Sequence, residues 1–276
     1  MTEHEVPCNE AVPHPMQLTA ALAVPRLTTG VEANWAEIER WTYTAAGDGA
    51  KLVLFPEAAL TGFVHSGDPE HDRQLAIPVP GATTDQLGAL ARTYSLHLAI
   101  GVLERAGTAL YDTALLFGPD GHILLKYRRI NPCWHTREAD PTVYRQGRAL
   151  RFARTALGRF AFLICGDITD DALLARIRAR GPDWLLVPIA RGFDEDVHNE
   201  RDWVEQEVGI YGERVRRAGA VTLLVNYVGN MNGFYGGAVT YRADGSVFAC
   251  RPLYQPGLLI VDLSLTTNDH GIAAEG

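Results

Sequence analysis

The 276-residue sequence contains few cysteines, and they are far apart. No Cys-x-x-Cys pair occurs, and the four positions are Cys8, Cys133, Cys165 and Cys250. This spacing is unlike a disulfide framework, and it offers no ligand set of the kind that zinc sites use. We therefore expect reduced thiols, a cytoplasmic location, and no metal or other cofactor.

The sequence also lacks an excess of basic residues and a long apolar run. Its formal net charge is −8, whereas a nucleic-acid-binding face requires clustered Lys and Arg. No segment approaches the ~20 apolar residues that a membrane-spanning helix needs. Neither nucleic acid nor a membrane is an expected partner.

The two ends of the sequence differ from the part between them. Residues 1–15 have no basic start followed by an apolar stretch, which argues against a signal peptide and predicts a disordered or extended arm. Residues 265–276 are too polar for a core, so they are predicted to form a tail that crosses to a partner or is disordered. Residues 16–264 contain no low-complexity linker and are predicted to form one domain.

Within that domain, short apolar segments alternate with segments of helical periodicity, which predicts an α/β fold. Turn sequences at 118–121 and 242–246 lie between extended segments and predict two β-hairpins. Parallel and antiparallel pairs are therefore mixed, and two sheets are expected to face each other between helical layers. Strands are predicted at 17–24, 51–55, 98–103, 160–165, 184–187, 221–225 and 258–263, and helices at 30–46, 83–94, 170–180 and 201–218.

Three apolar strands are predicted to end in reactive side chains. The strand 51–57 ends in Glu57, 122–126 in Lys126 and 159–165 in Cys165. The carboxyl ends of strands are where open α/β sheets place their chemistry. Each residue alone also has an ordinary explanation, as a buried core cysteine or a solvated charge at a strand end. Together they form a set for covalent catalysis, with a thiol nucleophile, a general base and a cation for an oxyanion.

The segments that carry these residues resemble the nitrilase superfamily of carbon–nitrogen hydrolases. They are 54–63, 125–129 and 163–167, in the family order of glutamate, lysine and cysteine, with weaker similarity from about Gln17 to Leu263. The resemblance implies a four-layer α-β-β-α sandwich of two mixed sheets between helical layers. It also implies assembly into a homodimer or a higher homo-oligomer.

The resemblance further implies a mechanism on a small-molecule amide or nitrile. Cys165 would attack the substrate carbon, Glu57 would act as the general base, and Lys126 with the backbone N–H of Gly166 would hold the oxyanion. Many members carry a second glutamate between the lysine and the cysteine, and Glu138 fits that position, with Asp140 as the alternative.

The sequence departs from the family beside the nucleophile. Gly166 occupies a position where the family usually has a larger residue. The sequence therefore lacks the Trp-Glu pair that follows the cysteine in true nitrilases, whereas an acidic residue at position 167, as in Asp167, is similar to the amidases. We therefore expect an amidohydrolase that cleaves a non-peptide C–N bond of a small linear amide or carbamoyl compound. A nitrilase, an acyl transferase and a catalytically silent member remain the alternatives.

Features that would select a substrate are few. Phe63, Trp134 and Phe193 are expected at the mouth of a mostly apolar pocket. Arg191 could meet a substrate carboxylate, whereas the acidic residues 194–196 could favour a cationic substrate or simply be solvated. The residues do not decide between these possibilities.

Overall fold

The computed structural model describes residues 16–63, 66–192, 203–229 and 233–265. The predicted N-terminal arm (1–15) lies outside these residues. So does the predicted tail (265–276), apart from Leu265, which is the last residue of the final strand. In the described part of the chain, no helix is long and apolar enough to cross a membrane.

Two mixed sheets form the centre of the fold. The strands are β1 Met16–Val24, β2 Arg26–Leu27, β3 Leu52–Leu54, β4 Ile77–Pro78, β5 His97–Ala106, β6 Ala109–Phe117, β7 Ile123–Arg128, β8 Phe152–Thr155, β9 Gly158–Phe162, β10 Trp184–Pro188, β11 Val221–Val225, β12 Val228–Gly229, β13 Gly236–Tyr241, β14 Val247–Leu253 and β15 Gly257–Leu265. One sheet has the order β15-β1-β3-β5-β6-β7 with β4 beside β5, and the other has the order β14-β13-β11-β10-β9-β8. Each has a parallel centre, β1-β3-β5 or β9-β10-β11, with antiparallel strands outside it.

Helices cover the outer faces of the two sheets. They are α1 Val31–Gly47, α2 Pro69–Leu75, α3 Ala82–Thr93, α4 Asp171–Arg180 and α5 Gly209–Ala218, with a 3₁₀ helix at Cys165–Thr169 and a π-helix at Trp203–Val208. Asp170 caps α4 by accepting hydrogen bonds from the backbone N–H groups of Ala172 (2.8 Å) and Leu173 (3.1 Å). The acidic residues after the nucleophile therefore begin a helix.

Side-chain alternation along β1 shows how the layers pack. Leu18 and Leu22 belong to a buried cluster that also contains Phe160, Leu186 and Leu223 of the second sheet. The intervening residues of β1 belong to a second cluster, shared with α1 and α3, whose members include Ala21, Ala23, Ile38, Ala45, Leu87 and Ala91. Since successive strand residues point to opposite faces, β1 contacts the other sheet on one face and the helices on the other. The predicted α-β-β-α layering is confirmed.

The predicted strands and both hairpins are present, with bounds that differ by a few residues. The difference that matters is in β7, which continues to Arg128. Lys126 is therefore inside a strand and not at its end. The helix predicted at 201–218 is a π-helix followed by α5, and residues 201–202 lie outside the described ranges.

Candidate active site

Glu57 lies in a tight turn three residues beyond β3. The turn is held against β5, because the N–H of Gly101 donates to the carbonyl of Pro56 (3.0 Å) and the N–H of Ala59 donates to the carbonyl of Gly101 (2.9 Å). A Cβ on Gly101 would lie 2.5 Å from the Cα of Glu57. Glycine is therefore required at 101 for the strand to approach the turn that carries the glutamate.

The carboxylate of Glu57 is fully buried and is held at both oxygens. Its Oε1 accepts a hydrogen bond from Nη1 of Arg129 (2.8 Å), and its Oε2 accepts one from the backbone N–H of Ala190 (2.7 Å). Burial, and then the nearby thiol of Cys165, raise the pKa of Glu57 to about 8. A carboxyl group with such a pKa can take and return a proton near neutral pH.

Cys165 is three residues beyond β9 and is the first residue of the 3₁₀ helix. Its φ of +45° is uncommon for a residue with a side chain. The thiol residue is half-buried, so a substrate can reach it. Gly166 follows as the second helical residue, where a backbone N–H has no partner within the helix and can bind an oxyanion.

Asp167 joins the nucleophile turn to the chain that follows β7. Its Oδ2 accepts hydrogen bonds from the hydroxyl of Tyr127 (2.7 Å) and the N–H of Ile164 (3.0 Å). Its Oδ1 accepts two more, from the N–H groups of Ile130 (3.1 Å) and Asn131 (2.7 Å). Because this carboxylate has four partners and is buried, it fixes residues 129–131 relative to Cys165.

Arg129 is the cation that the structure brings to Glu57. It is the first residue after β7, and its side chain is 2 % exposed. Nη1 contacts Glu57 and also Asp112 Oδ2 at 3.4 Å. Burial opposes the charged form of Arg129, but the carboxylates of Glu57 and Asp112 and the sulfur of Cys165 more than offset it and raise the pKa of the guanidinium.

Asp112 is a second buried carboxyl group at the same place. Burial, and then the carboxylate of Glu57, raise the pKa of Asp112 well above its usual range. Two carboxyl groups this close cannot both ionise readily, so an ionised Glu57 disfavours the ionisation of Asp112.

Lys126, the residue expected to hold the oxyanion with the N–H of Gly166, is paired elsewhere in the structure. Its Nζ contacts Oε1 of Glu104 at 2.8 Å and the carbonyl of Val79 at 3.4 Å. Lys126 also lines a surface cavity with Arg128 and Arg145, and neither Glu57 nor Cys165 borders that cavity. The cause is the length of β7, which places the turn into the site at residue 129.

The two candidates for a second acid are both on the surface. Glu138 is exposed, and no hydrogen bond or ion pair joins it to another residue of the described ranges. Asp140 is exposed and accepts hydrogen bonds from the N–H (2.8 Å) and hydroxyl (2.7 Å) of Thr142, which makes it a turn-forming residue. Neither contacts Glu57, Arg129 or Cys165 in the described structure.

The two described aromatic candidates lie near the Glu57 turn. Half-buried Phe63 and buried Trp134 line a small cavity that Ala58 and Asp112 also border. The N–H of Phe63 donates to the hydroxyl of Tyr227 (3.0 Å). Phe193 is outside the described residues.

Arg191 is paired within the protein. Its Nε and Nη2 donate to the two carboxylate oxygens of Glu207 at 3.0 and 2.8 Å, and these bonds raise the pKa of Arg191. A substrate carboxylate would have to compete with Glu207 for this guanidinium. The acidic residues 194–196 lie outside the described residues.

Sequence reasoning missed Arg129, Asp112 and the joining role of Asp167. A signal for Asp112 was present, because it is an isolated acid in the otherwise apolar strand β6. Among the residues that the structure describes, no group of three or more His, Cys, Asp or Glu side chains is placed to hold a metal ion.

With this geometry established, comparisons with known proteins identify the family. The family model described as carbon-nitrogen hydrolase matches residues 18–269. The chain belongs to the carbon-nitrogen hydrolase family. The resemblance to the nitrilase superfamily is confirmed.

Curated relatives of this carbon-nitrogen hydrolase include nitrilases. A bifunctional nitrilase/nitrile hydratase of Nicotiana tabacum is 33% identical over 177 residues, which cover 59% of this chain and 50% of that protein. An aliphatic nitrilase of Sinorhizobium fredii is 35% identical over 181 residues, covering 58% and 56%. The chain thus aligns with about half the length of the curated relatives it matches.

Solved structures with the same fold include amidases. An amidase from Nesterenkonia has a TM-score of 0.75 at 23% identity and covers 91% of this chain and 92% of its own. A variant of that amidase, described with the acetamide moiety of fluoroacetamide added covalently at its active site cysteine, has a TM-score of 0.76 at 22% identity, with 93% and 94% covered. A carbon-nitrogen hydrolase from Helicobacter pylori has a TM-score of 0.78 at 19% identity and covers 89% of both chains. At sequence identities of 19–23%, these similarities show a shared fold and nothing further.

Proposed function

We propose that this carbon-nitrogen hydrolase is a cysteine-dependent amidohydrolase that cleaves the C–N bond of a small linear amide or carbamoyl compound. The observation that carries the proposal is the pairing of Cys165 with Glu57. The thiol of Cys165 is half-buried and lies close to the buried carboxyl group of Glu57, whose pKa is raised to about 8 by burial and then by this thiol. A nucleophile beside a base with a suitable pKa is the arrangement that covalent catalysis uses.

In the acylation step, Glu57 takes the thiol proton and Cys165 Sγ bonds to the carbonyl carbon. The carbonyl π pair moves to the oxygen, and the backbone N–H of Gly166 receives that oxyanion. The oxyanion then collapses, the C–N bond breaks, and Glu57 gives its proton to the departing amine. The products of this step are a free amine and a thioester on Cys165.

In the deacylation step, Glu57 and Cys165 transfer the acyl group from the thioester to water. Glu57 takes a proton from water, and the resulting hydroxide bonds to the thioester carbon. Collapse breaks the Sγ–C bond, releases the acid, and returns the proton from Glu57 to the thiol. One base serves both steps because it recovers its ionised form each time.

A nitrile is the second candidate substrate. It is favoured by the nitrilases among the relatives with 33% and 35% identity. The amide is favoured by the residue pair Gly166-Asp167, which lacks the Trp-Glu pair of true nitrilases.

Intact-mass measurement across a panel of matched aliphatic amides and nitriles tests the proposal. We expect amides to give an acyl adduct on Cys165 that decays as free acid forms. Nitriles that acylate faster than their matched amides would establish the second candidate. An adduct that decays only with an added amine would indicate an acyl transferase, and no adduct with any compound would overturn the proposal.

The raised pKa of Glu57 predicts a pH dependence. Only ionised Glu57 can accept the thiol proton, and below pH 8 most of the population is protonated. We expect kcat/KM to fall about tenfold per pH unit as the pH decreases below about 8, and to level off above it. Measuring kcat/KM for one amide from about pH 6 to 9 checks this. A flat profile across that range would contradict it.

A further inference from the structure

The guanidinium of Arg129 is held on one side and has spare donors on the other. Both of its short contacts, to Glu57 and Asp112, are made by Nη1. Nε is buried and has no hydrogen-bond partner in the described part of the chain. A buried N–H without a partner is costly and calls for an explanation, and a catalytic role is one of them.

Nη2 of the same guanidinium occupies the space beside Gly166. A Cβ built on Gly166 would lie 2.7 Å from Nη2 of Arg129 and 3.2 Å from Oδ1 of Asn131. A flexible side chain could retreat from such a contact. Arg129 cannot, because Nη1 is fixed by Glu57 at 2.8 Å and the side chain is 2 % exposed.

We propose that Arg129 and Gly166 are a matched pair, in which Arg129 supplies the fixed positive charge for the substrate oxyanion and the absence of a side chain at 166 makes room for it. The inference rests on the proposed function, because an oxyanion forms only if Cys165 attacks the substrate. It assigns to Arg129 the role expected of Lys126. It also explains a glycine at the position after the nucleophile, where a larger residue is usual in the family.

The chemistry of the two residues fits this role. Nη2 of Arg129 lies beside Gly166, the residue after the nucleophile. An oxyanion formed at Cys165 would therefore have a backbone donor and a cation within reach. A guanidinium stays charged at every working pH and carries several donors in a fixed plane. Its charge cannot be lost by deprotonation, as that of a buried lysine can.

A double-mutant cycle tests the pair. The variants are Gly166→Ala, Arg129→Lys and the double variant, with Arg129→Met to remove the charge and Lys126→Met as the matched control. Two quantities are measured for each, the rate of acyl-adduct formation on Cys165 and the midpoint of thermal unfolding. The first requires the acylation step, and the second requires no reaction.

We expect strong coupling between the two positions. Gly166→Ala alone should slow acylation by roughly 10²–10³-fold, since it displaces an oxyanion donor, and should lower the unfolding midpoint. In the Arg129→Lys background, which lacks Nη2, the same substitution should change acylation by less than about threefold. Lys126→Met should stay within about threefold of the parent protein.

The Arg129→Met variant tests the charge of Arg129 separately from its steric contact with Gly166. Acylation should fall by roughly 10²–10³-fold with KM nearly unchanged, since the charge acts on the oxyanion and not on the bound amide. The acidic limb of the pH profile should also move to higher pH, because the Arg129 charge lowers the pKa of Glu57. That shift reports the ion pair with Glu57, whereas the fall in acylation at unchanged KM reports the oxyanion role. If Arg129→Met does not fold, Arg129→Lys and the cycle still decide the question.

The outcomes separate this inference from the proposed function. If the parent protein forms no adduct with any amide or nitrile, the proposed function fails, and the unfolding midpoints still test the steric pairing. If adducts form and the effects of Gly166→Ala and Arg129→Lys simply add, the pair is wrong although the hydrolase proposal stands. Loss of acylation in Lys126→Met but not in Arg129→Met would return the role to Lys126.

Discussion

Replacing Cys165 with alanine is expected to abolish turnover and acyl-adduct formation. The substitution removes the sulfur atom that forms the thioester in the proposed mechanism, and loss of a nucleophile typically costs on the order of 10⁴–10⁶-fold in kcat. The fold should persist, because Cys165 is half-buried at the start of a short helix and Asp167 holds that turn through its own four hydrogen bonds. Turnover by steady-state assay and the adduct by intact mass are the two measurements.

The chain contains two matched controls for this prediction. Cys133 and Cys250 are free and exposed, so Cys133→Ala and Cys250→Ala should retain parent activity and a single adduct per chain. An adduct that persists in Cys165→Ala, or is lost in either control, would place the nucleophile elsewhere.

Replacing Glu57 with glutamine is expected to produce the second largest effect, a loss of about 10²–10⁴-fold in kcat/KM. Glutamine keeps the size of the side chain but cannot take the thiol proton. It also directs an NH₂ group toward either Arg129 or the N–H of Ala190, where the carboxylate accepts hydrogen bonds at both oxygens. We therefore expect a stability loss of about 1–3 kcal/mol as well.

The pH profile distinguishes base catalysis from this change in stability. Glu57→Gln should lack the acidic limb near pH 8, because the group that titrates there is gone. Glu39→Gln on the exposed face of α1 is a suitable control and should match the parent protein. Near-parent kcat/KM in Glu57→Gln, or an unchanged limb, would remove Glu57 from the base role.

Most of the fold could be predicted from local sequence patterns. Alternating apolar segments located the strands, and Gly-Pro-Asp-Gly at 118–121 located a hairpin, because these signals depend on neighbouring residues alone. The turns that carry Glu57 and Cys165 could be located in the same way, since each follows a short buried strand.

The cation could not be located by the same reasoning, and β7 shows why. Leu125 and Tyr127 are buried on one face of that strand, while Lys126 and Arg128 alternate with them on the other. The alternation continues to Arg128, so the first residue free to turn into the site is Arg129. Lys126 pairs instead with Glu104, a buried acid from β5, which is a contact between strands that no local pattern predicts.

The lack of space between Gly166 and Arg129 also limits which residues these two positions can hold together. An arginine at 129 opposite any side chain at 166 would meet a Cβ at about the 2.7 Å separation found here. A glycine opposite a smaller cation would leave only a vacancy. Engineering a side chain into position 166 therefore requires a smaller residue at 129 first or in the same step.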